Sequence, residues 1–163
     1  MATFSAAYAS LLLAFADPER WRRFGVLAAA FALLSLDDMV ELHERAGEQV
    51  FGDALDLSEN VSQQLEVFLY APLFVFALWT VWTLIGESSK EVGRVLMAGL
   101  SLLGLAVALE IGGLVTRPLD DDGVRYVNGA RLALEEASEL AGWILVATGL
   151  TALACTVLPR DVG

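Results

Sequence analysis

The sequence predicts an all-α membrane protein, a bundle of about five transmembrane helices in one domain over residues 1–163. Two observations lead to this fold class. The chain has 163 residues and is 56% hydrophobic, above the roughly 45–50% that is typical of soluble domains. Its apolar residues are concentrated in long runs separated by short charged stretches, which indicates membrane helices rather than one soluble core.

Five apolar segments account for the predicted helices. They cover residues 2–16, 24–36, 64–86, 92–115 and 141–158. A span needs roughly 20 residues, a length that the third and fourth segments reach directly, whereas the first is short. The second and fifth reach it only with their charged extensions. We therefore expect the second helix to continue to at least Glu44 and the fifth to begin near Asn128.

The distribution of basic residues predicts the orientation, because positively charged loops stay on the cytoplasmic side. With five spans, six of the ten basic residues fall on one side: Arg20, Arg22, Arg23, Lys90, Arg94 and Arg160. That side is assigned as cytoplasmic, with the N-terminus outside and the C-terminus inside, in a multi-pass protein of a prokaryotic cell membrane. The outer side carries sixteen of the 21 carboxylates, so the acidity belongs to one face.

Four of the predicted helices place carboxylates at nearly the same depth. These are Asp37 and Glu41 on the second helix, Glu66 on the third, Glu110 on the fourth and Glu139 on the fifth. All lie roughly 20–30 Å above the cytoplasmic ends of their helices, near the outer boundary of the hydrocarbon layer. Ionisable groups at such depths usually face a bundle interior. Glu110 has apolar neighbours on both sides, and we expect it to be the most enclosed, on a central and crowded fourth helix.

Further carboxylates and the single histidine extend this layer. Glu44 shares a face of the second helix with Asp37 and Glu41, and Glu135 lies one turn before Glu139 on the fifth. His43 is a candidate metal ligand or proton carrier, or else an interface histidine that is hydrogen-bonded to a neighbouring glutamate. The complete candidate site for a metal or another cation is Asp37, Glu41, His43, Glu44, Glu66, Glu110, Glu135 and Glu139.

Carboxylates at close range cannot all stay ionised without a compensating positive charge. A divalent metal ion would supply that charge and accept oxygen ligands. Arg131 or Arg45 could supply it instead, without any metal. A di-iron carboxylate site is not indicated, because Val40 rather than Glu stands three residues before His43 and the fifth helix has no histidine. We expect no haem, flavin, nucleotide or retinal.

Charge and cysteine content restrict the partners. A net charge of −11 argues against nucleic acid, because phosphate contacts need basic patches. Cys155 is the single cysteine, so an internal disulfide is excluded. The expected partners are membrane lipids, a cation, and a second copy of the chain or another membrane protein. Tyr126 and Trp143 are expected at the outer membrane interface.

Three functions are compatible with this pattern. The first is an outward-facing carboxylate and histidine site that binds a cation or protons, with binding coupled to transport. The second is a metal-dependent membrane enzyme, with Glu41 or Glu110 as base and His43 as ligand or acid. The third is an accessory or assembly subunit of a membrane complex, in which the acids form structural hydrogen bonds alone.

Overall fold

A computed structural model describes residues 2–40, 59–116 and 124–157 of the protein, and the side chains of residues 3–36, 71–112 and 129–157. Within these ranges every regular element is a helix and no strand is present, which confirms the predicted all-α class. Five helices are present in the described part: α1 (Ala2–Ala16), α2 (Trp21–Val40), α3 (Glu59–Glu87), α4 (Lys90–Thr116) and α5 (Val124–Val157).

The two predicted helix extensions have different outcomes. The fifth helix begins at Val124, far before the apolar run at Ala141, and this prediction is confirmed. The second helix continues past Leu36 to Val40, and the residues from Glu41 to Glu44 lie outside the described part of the chain. Both helices therefore extend into the acidic stretches of their segments.

Two short connections bring helix ends together at one end of the bundle. After α1, Pro18 cannot continue a helix, and the Asp17 carboxylate accepts a hydrogen bond from the Arg20 backbone N–H at 3.1 Å. Between α3 and α4, the Ser89 carbonyl accepts a hydrogen bond from the Gly93 N–H at 2.8 Å. We call the end that contains these two connections the inner end, and the opposite end the outer end.

The five helices close into a ring in chain order. Helix α1 packs against α2 and α5, α5 against α4, α4 against α3, and α3 more sparsely against α2. Glycines bring α4 and α5 into the closest approach. A Cβ atom added to Gly99 would lie 2.9 Å from Val146 Cγ2, and one added to Gly142 would lie 2.8 Å from Leu103 Cγ. Only glycine permits this backbone separation.

The most enclosed of the long apolar helices is α5, and the prediction that the fourth helix is central and most crowded is wrong. In the apolar span of α5, 39% of the residues are buried, whereas in the apolar span of α4 22% are buried. The reason is that α5 packs on two sides, against α1 and α4. One face of α4 remains open, since nothing lies within 4 Å of a Cβ atom added to Gly104.

Trp143 lies at the centre of the core, and the prediction that it faces the outer membrane interface is wrong. Its side chain is 4% exposed. Its ring makes edge-to-face contacts with Phe31 of α2, at a centroid distance of 5.5 Å, and with Phe74 of α3, at 6.1 Å. Trp143 therefore joins three helices, because α5 extends far enough in the N-terminal direction to place this residue within the bundle.

Two of the described helices are long and apolar enough to cross a membrane. These spans are Lys90–Gly112 in α4 and Gly129–Val157 in α5. Thr3–Ala16 in α1 and Ala71–Glu87 in α3 are shorter apolar stretches. The structure thus supports two spans by length and composition.

Candidate functional site

The structure describes the side chains of three of the eight predicted site residues, namely Glu110, Glu135 and Glu139. Asp37 and Glu66 lie on the described backbone of α2 and α3, but their side chains lie outside the described part. Glu41, His43 and Glu44 lie outside it altogether. The geometry of the site is therefore that of the outer halves of α4 and α5.

Arg131 is the centre of this outer region. Its Nη1 donates hydrogen bonds to the Glu135 carboxylate at 2.7 Å and to the backbone carbonyl of Leu109 at 2.6 Å. The first bond joins residues one turn apart on α5, and the second crosses to α4. The ion pair is largely shielded from solvent, since the side chains of Arg131 and Glu135 are 24% and 19% exposed. Arginine thus supplies the compensating charge for Glu135.

The same guanidinium has spare hydrogen-bonding capacity. The Nε atom of Arg131 is buried and has no hydrogen-bond partner among the described residues. A buried donor without an acceptor is unfavourable. We name the group of Glu110, Arg131, Glu135 and Glu139 the outer cluster.

Glu110 follows Leu109, so it lies directly beside the point where Arg131 contacts α4. It is on the same helical face as Gly99, Leu103 and Ala106, all buried, and this face packs against α5. The Glu110 side chain itself is exposed, whereas the sequence led us to expect the most enclosed acid. No described basic side chain forms an ion pair with it. The expected enclosure of Glu110 is therefore not observed.

Glu139 connects the outer cluster to the core. The indole Nε1 of Trp143 donates a long hydrogen bond of 3.4 Å to the Glu139 carboxylate. The Glu139 side chain is exposed, and this contact links it to Trp143, which lies between Phe31 and Phe74. Within the described part of the chain, no three His, Cys, Asp or Glu side chains converge as metal ligands.

A second polar cluster lies at the inner end, and sequence reasoning missed it. Glu87, the last residue of α3, accepts hydrogen bonds from Arg20 Nη1 at 2.7 Å and from Arg23 Nη1 at 2.8 Å. Arg23 Nη2 also donates to the hydroxyl of Thr83. Arg20 Nε donates to Asp17 at 2.7 Å. We name these five residues the inner cluster.

The inner cluster alters the protonation equilibria of two of its members. The hydrogen bond from Arg20 lowers the pKa of the Asp17 carboxyl below its ordinary value, against the opposing effect of burial. The same hydrogen bond, together with the charges of Asp17 and Glu87, raises the pKa of Arg20. Both shifts favour the charged forms, so the cluster is held as ion pairs at neutral pH.

The fold and the two clusters define an all-helical protein with two membrane-length helices and charged groups collected at both ends of the bundle. The chain belongs to the family described as Domain of unknown function (DUF8692), which matches residues 1–153. No curated protein and no solved structure shows a significant match to it. The family match covers all five described helices up to Leu153, so both clusters lie within the family's domain.

Proposed function

We propose that the protein is a multi-pass membrane protein in which all five helices cross the bilayer with the N-terminus outside. Large apolar side chains on the outside of each helix support this topology. More than half of the surface of each is exposed: Phe4 and Phe15 on α1, Val26 on α2, Trp79 on α3, Ile111 on α4 and Leu140 on α5. An apolar surface that extends around a whole bundle requires a cover, and lipid chains would provide it.

Exposed hydroxyl groups on the same outer surface support lipid contact as well. The Ser101 hydroxyl donates to the Met97 carbonyl at 2.9 Å, and the Thr148 hydroxyl donates to the Ile144 carbonyl at 2.7 Å. Each hydroxyl is thus satisfied within its own helix and needs no water. Such surfaces are suited to a hydrocarbon environment.

The proposed function is the binding of a cation or protons in the outer carboxylate layer, coupled to transport. The observation that carries this proposal is the collection of carboxylates beside Arg131 on α4 and α5. Arg131 forms an ion pair with Glu135, and Glu110 and Glu139 place two more carboxylates on the same two helices. Carboxylates at close range disfavour each other's ionised forms, so uptake of a cation or of protons would stabilise the layer.

The depth of the outer cluster fits an outward-facing site. Glu110 lies about 20 residues beyond Lys90 and therefore about 30 Å from the inner end of α4. This distance equals the thickness of a typical hydrocarbon core. Asp37 on α2 and Glu66 on α3 would add carboxylates at similar heights from the facing helices. A cation could then enter from the outer side without crossing the core.

The role of an accessory or assembly subunit is the second candidate. It is favoured by the contacts that Arg131 makes to Glu135 and to the Leu109 carbonyl, which tie α4 to α5 without any ligand. In this case the outer cluster would be a structural joint. The two candidates differ in whether the remaining carboxylates take up charge.

Binding of Mn²⁺ to the full-length protein in lipid nanodiscs tests the proposed function, with free Mn²⁺ measured by its electron paramagnetic resonance signal. Glu110→Gln is compared with Glu136→Gln, a matched control that removes one charge from an exposed position on α5. We expect Glu110→Gln to weaken Mn²⁺ binding about tenfold, which corresponds to roughly 1.4 kcal/mol, and Glu136→Gln to have little effect.

Proton uptake is measured in parallel, from the pH change inside proteoliposomes after an external acid pulse. Loss of proton flux in Glu110→Gln, with normal flux in Glu136→Gln, would support protons as the bound species. Equal effects of the two substitutions would remove the case for a specific site. Absence of both Mn²⁺ binding and proton flux in the unmodified protein, together with a membrane protein that copurifies at unit stoichiometry, would favour the accessory role.

A further inference from the structure

The contact between α2 and α3 at the inner end depends on the inner cluster. Arg20 lies just before α2 and Arg23 in its first turn, and both donate to Glu87 at the last residue of α3. Arg23 also donates to Thr83, one turn earlier on α3. These three contacts between the start of α2 and the end of α3 therefore all involve Glu87 or Thr83. Among the described residues, this pair of helices is packed more sparsely than α1 is against α2 or α5.

The other contacts of the ring are of a different kind. Helices α4 and α5 approach so closely at Gly99, Gly142 and Gly149 that a side chain at any of them would collide with the facing helix. Helices α3 and α4 are joined by a connection of two residues, 88–89. The ring can thus open between α2 and α3 at a lower energetic cost than at its other contacts, which would have to give up close packing.

The ion pairs of the inner cluster are accessible to solvent. The side chains of Arg20, Arg23 and Glu87 are 41%, 30% and 40% exposed. Ion pairs with this exposure are weak and reversible, because water competes for both partners and salt screens their charges. They can hold two helix ends together and release them again without a large barrier.

Helix α3 contains a point at which it can bend. Pro72 lies inside the helix, about four turns above Glu87. A proline lacks the N–H that would bond to the carbonyl four residues earlier, and its ring crowds that carbonyl, so helices commonly kink at such positions. The part of α3 below Pro72 is also the part that carries the inner cluster's contacts.

We infer that the α2–α3 interface is a gate between the outer carboxylate layer and the inner side, and that Glu87 holds this gate closed. The inference rests on the proposed function, because a gate has a purpose only where a cation or protons pass. Asp37 on α2 and Glu66 on α3 lie on the outer parts of the two helices that form the gate. Opening at the inner end would connect the interior of the helix ring with the inner side.

A spin-label distance across the gate tests the inference in the full-length protein in nanodiscs. In a Cys155→Ser background, Val26→Cys on α2 and Trp82→Cys on α3 carry the labels. Both positions are more than half exposed. Glu87→Gln should lengthen the mean α2–α3 distance by about 2 Å or more, which is the scale of helix shifts in switching proteins.

Two controls distinguish gate opening from general loosening. Labels at Met97 on α4 and Thr148 on α5, both exposed, should keep their distance in Glu87→Gln. Glu91→Gln, which removes an exposed charge in the first turn of α4, should leave both distances unchanged. If Glu87→Gln does not fold, Thr83→Val replaces it, since this substitution removes an acceptor of Arg23 without changing any charge.

The outcomes separate the gate from the proposed function. An α2–α3 distance that stays the same in Glu87→Gln and in Thr83→Val would overturn the gate, even where the unmodified protein binds Mn²⁺. Equal lengthening of the α2–α3 and α4–α5 distances would overturn it as well. Selective lengthening would establish the gate as a moving interface, and the Mn²⁺ and proton measurements would decide independently what passes through it.

Discussion

The inner and outer clusters use the same chemistry, an arginine paired with a glutamate, in two different settings. At the outer end Arg131 and Glu135 lie on one helix as a largely shielded pair, and Arg131 also contacts the Leu109 carbonyl of the neighbouring helix. At the inner end Arg20 and Arg23 reach across a sparsely packed interface to Glu87. The surrounding packing, rather than the ion pair, determines whether the contact is a fixed joint or a reversible one.

The largest expected effect concerns the aromatic core around Trp143. Trp143→Ala removes a side chain that is 4% exposed and packed between Phe31 and Phe74. It should lower the free energy of unfolding by about 3–5 kcal/mol. Trp79→Ala is the matched control, because Trp79 is 63% exposed. Denaturant unfolding followed by circular dichroism measures both, and similar losses would contradict the central position of Trp143.

A smaller difference should separate the two ion-pair clusters. Arg131→Gln leaves the shielded Glu135 carboxylate without its partner and should cost roughly 1–3 kcal/mol. Glu87→Gln breaks only solvent-exposed pairs and should cost less than about 1 kcal/mol. Unfolding at low and high salt sharpens the comparison, since salt should weaken the inner contribution more strongly. An equal cost and an equal salt dependence would show that packing does not distinguish the clusters.

The smallest expected effect is the pH dependence of the inner cluster. Because its pKa is lowered in the folded protein, Asp17 stabilises the fold fully above the ordinary aspartate value of about 3.9. That contribution disappears as the pH falls through the lowered pKa. The difference in unfolding free energy between the unmodified protein and Asp17→Asn should therefore shrink on acidification from pH ~5. A difference that is constant over this range would contradict the assigned role of Arg20.

The helices were largely predictable because long apolar runs and the absence of helix breakers are local properties. The predicted first segment coincides with α1, and the expected early start of the fifth helix is confirmed at Val124. The membrane crossing of all five remains a proposal, for which two described spans provide support. The local sequence therefore predicts where helices form, but it predicts less reliably how many of them cross a bilayer.

The contacts between helices were less predictable, since they depend on how distant parts of the chain meet. Glu87 is separated by 64 and 67 residues from the arginines that it binds, and no spacing rule connects them. Arg131 was recognised as a compensating charge, but its second acceptor is a backbone carbonyl, which any residue could provide. Trp143 was assigned to an interface from the general preference of tryptophan, whereas the ring contacts place it in the core.

The position of α5 has a consequence for biosynthesis. It is the last of the five helices to leave the ribosome, yet it packs against α1, the first, and provides the ring that separates Phe31 from Phe74. The aromatic contacts of the earlier helices therefore stay unmade until α5 has been synthesised. Assembly is thus governed by contacts between the two extremes of the helical sequence, a high contact order for a helical protein. A nascent chain that is stalled before Trp143 would present quality-control proteases with an open bundle.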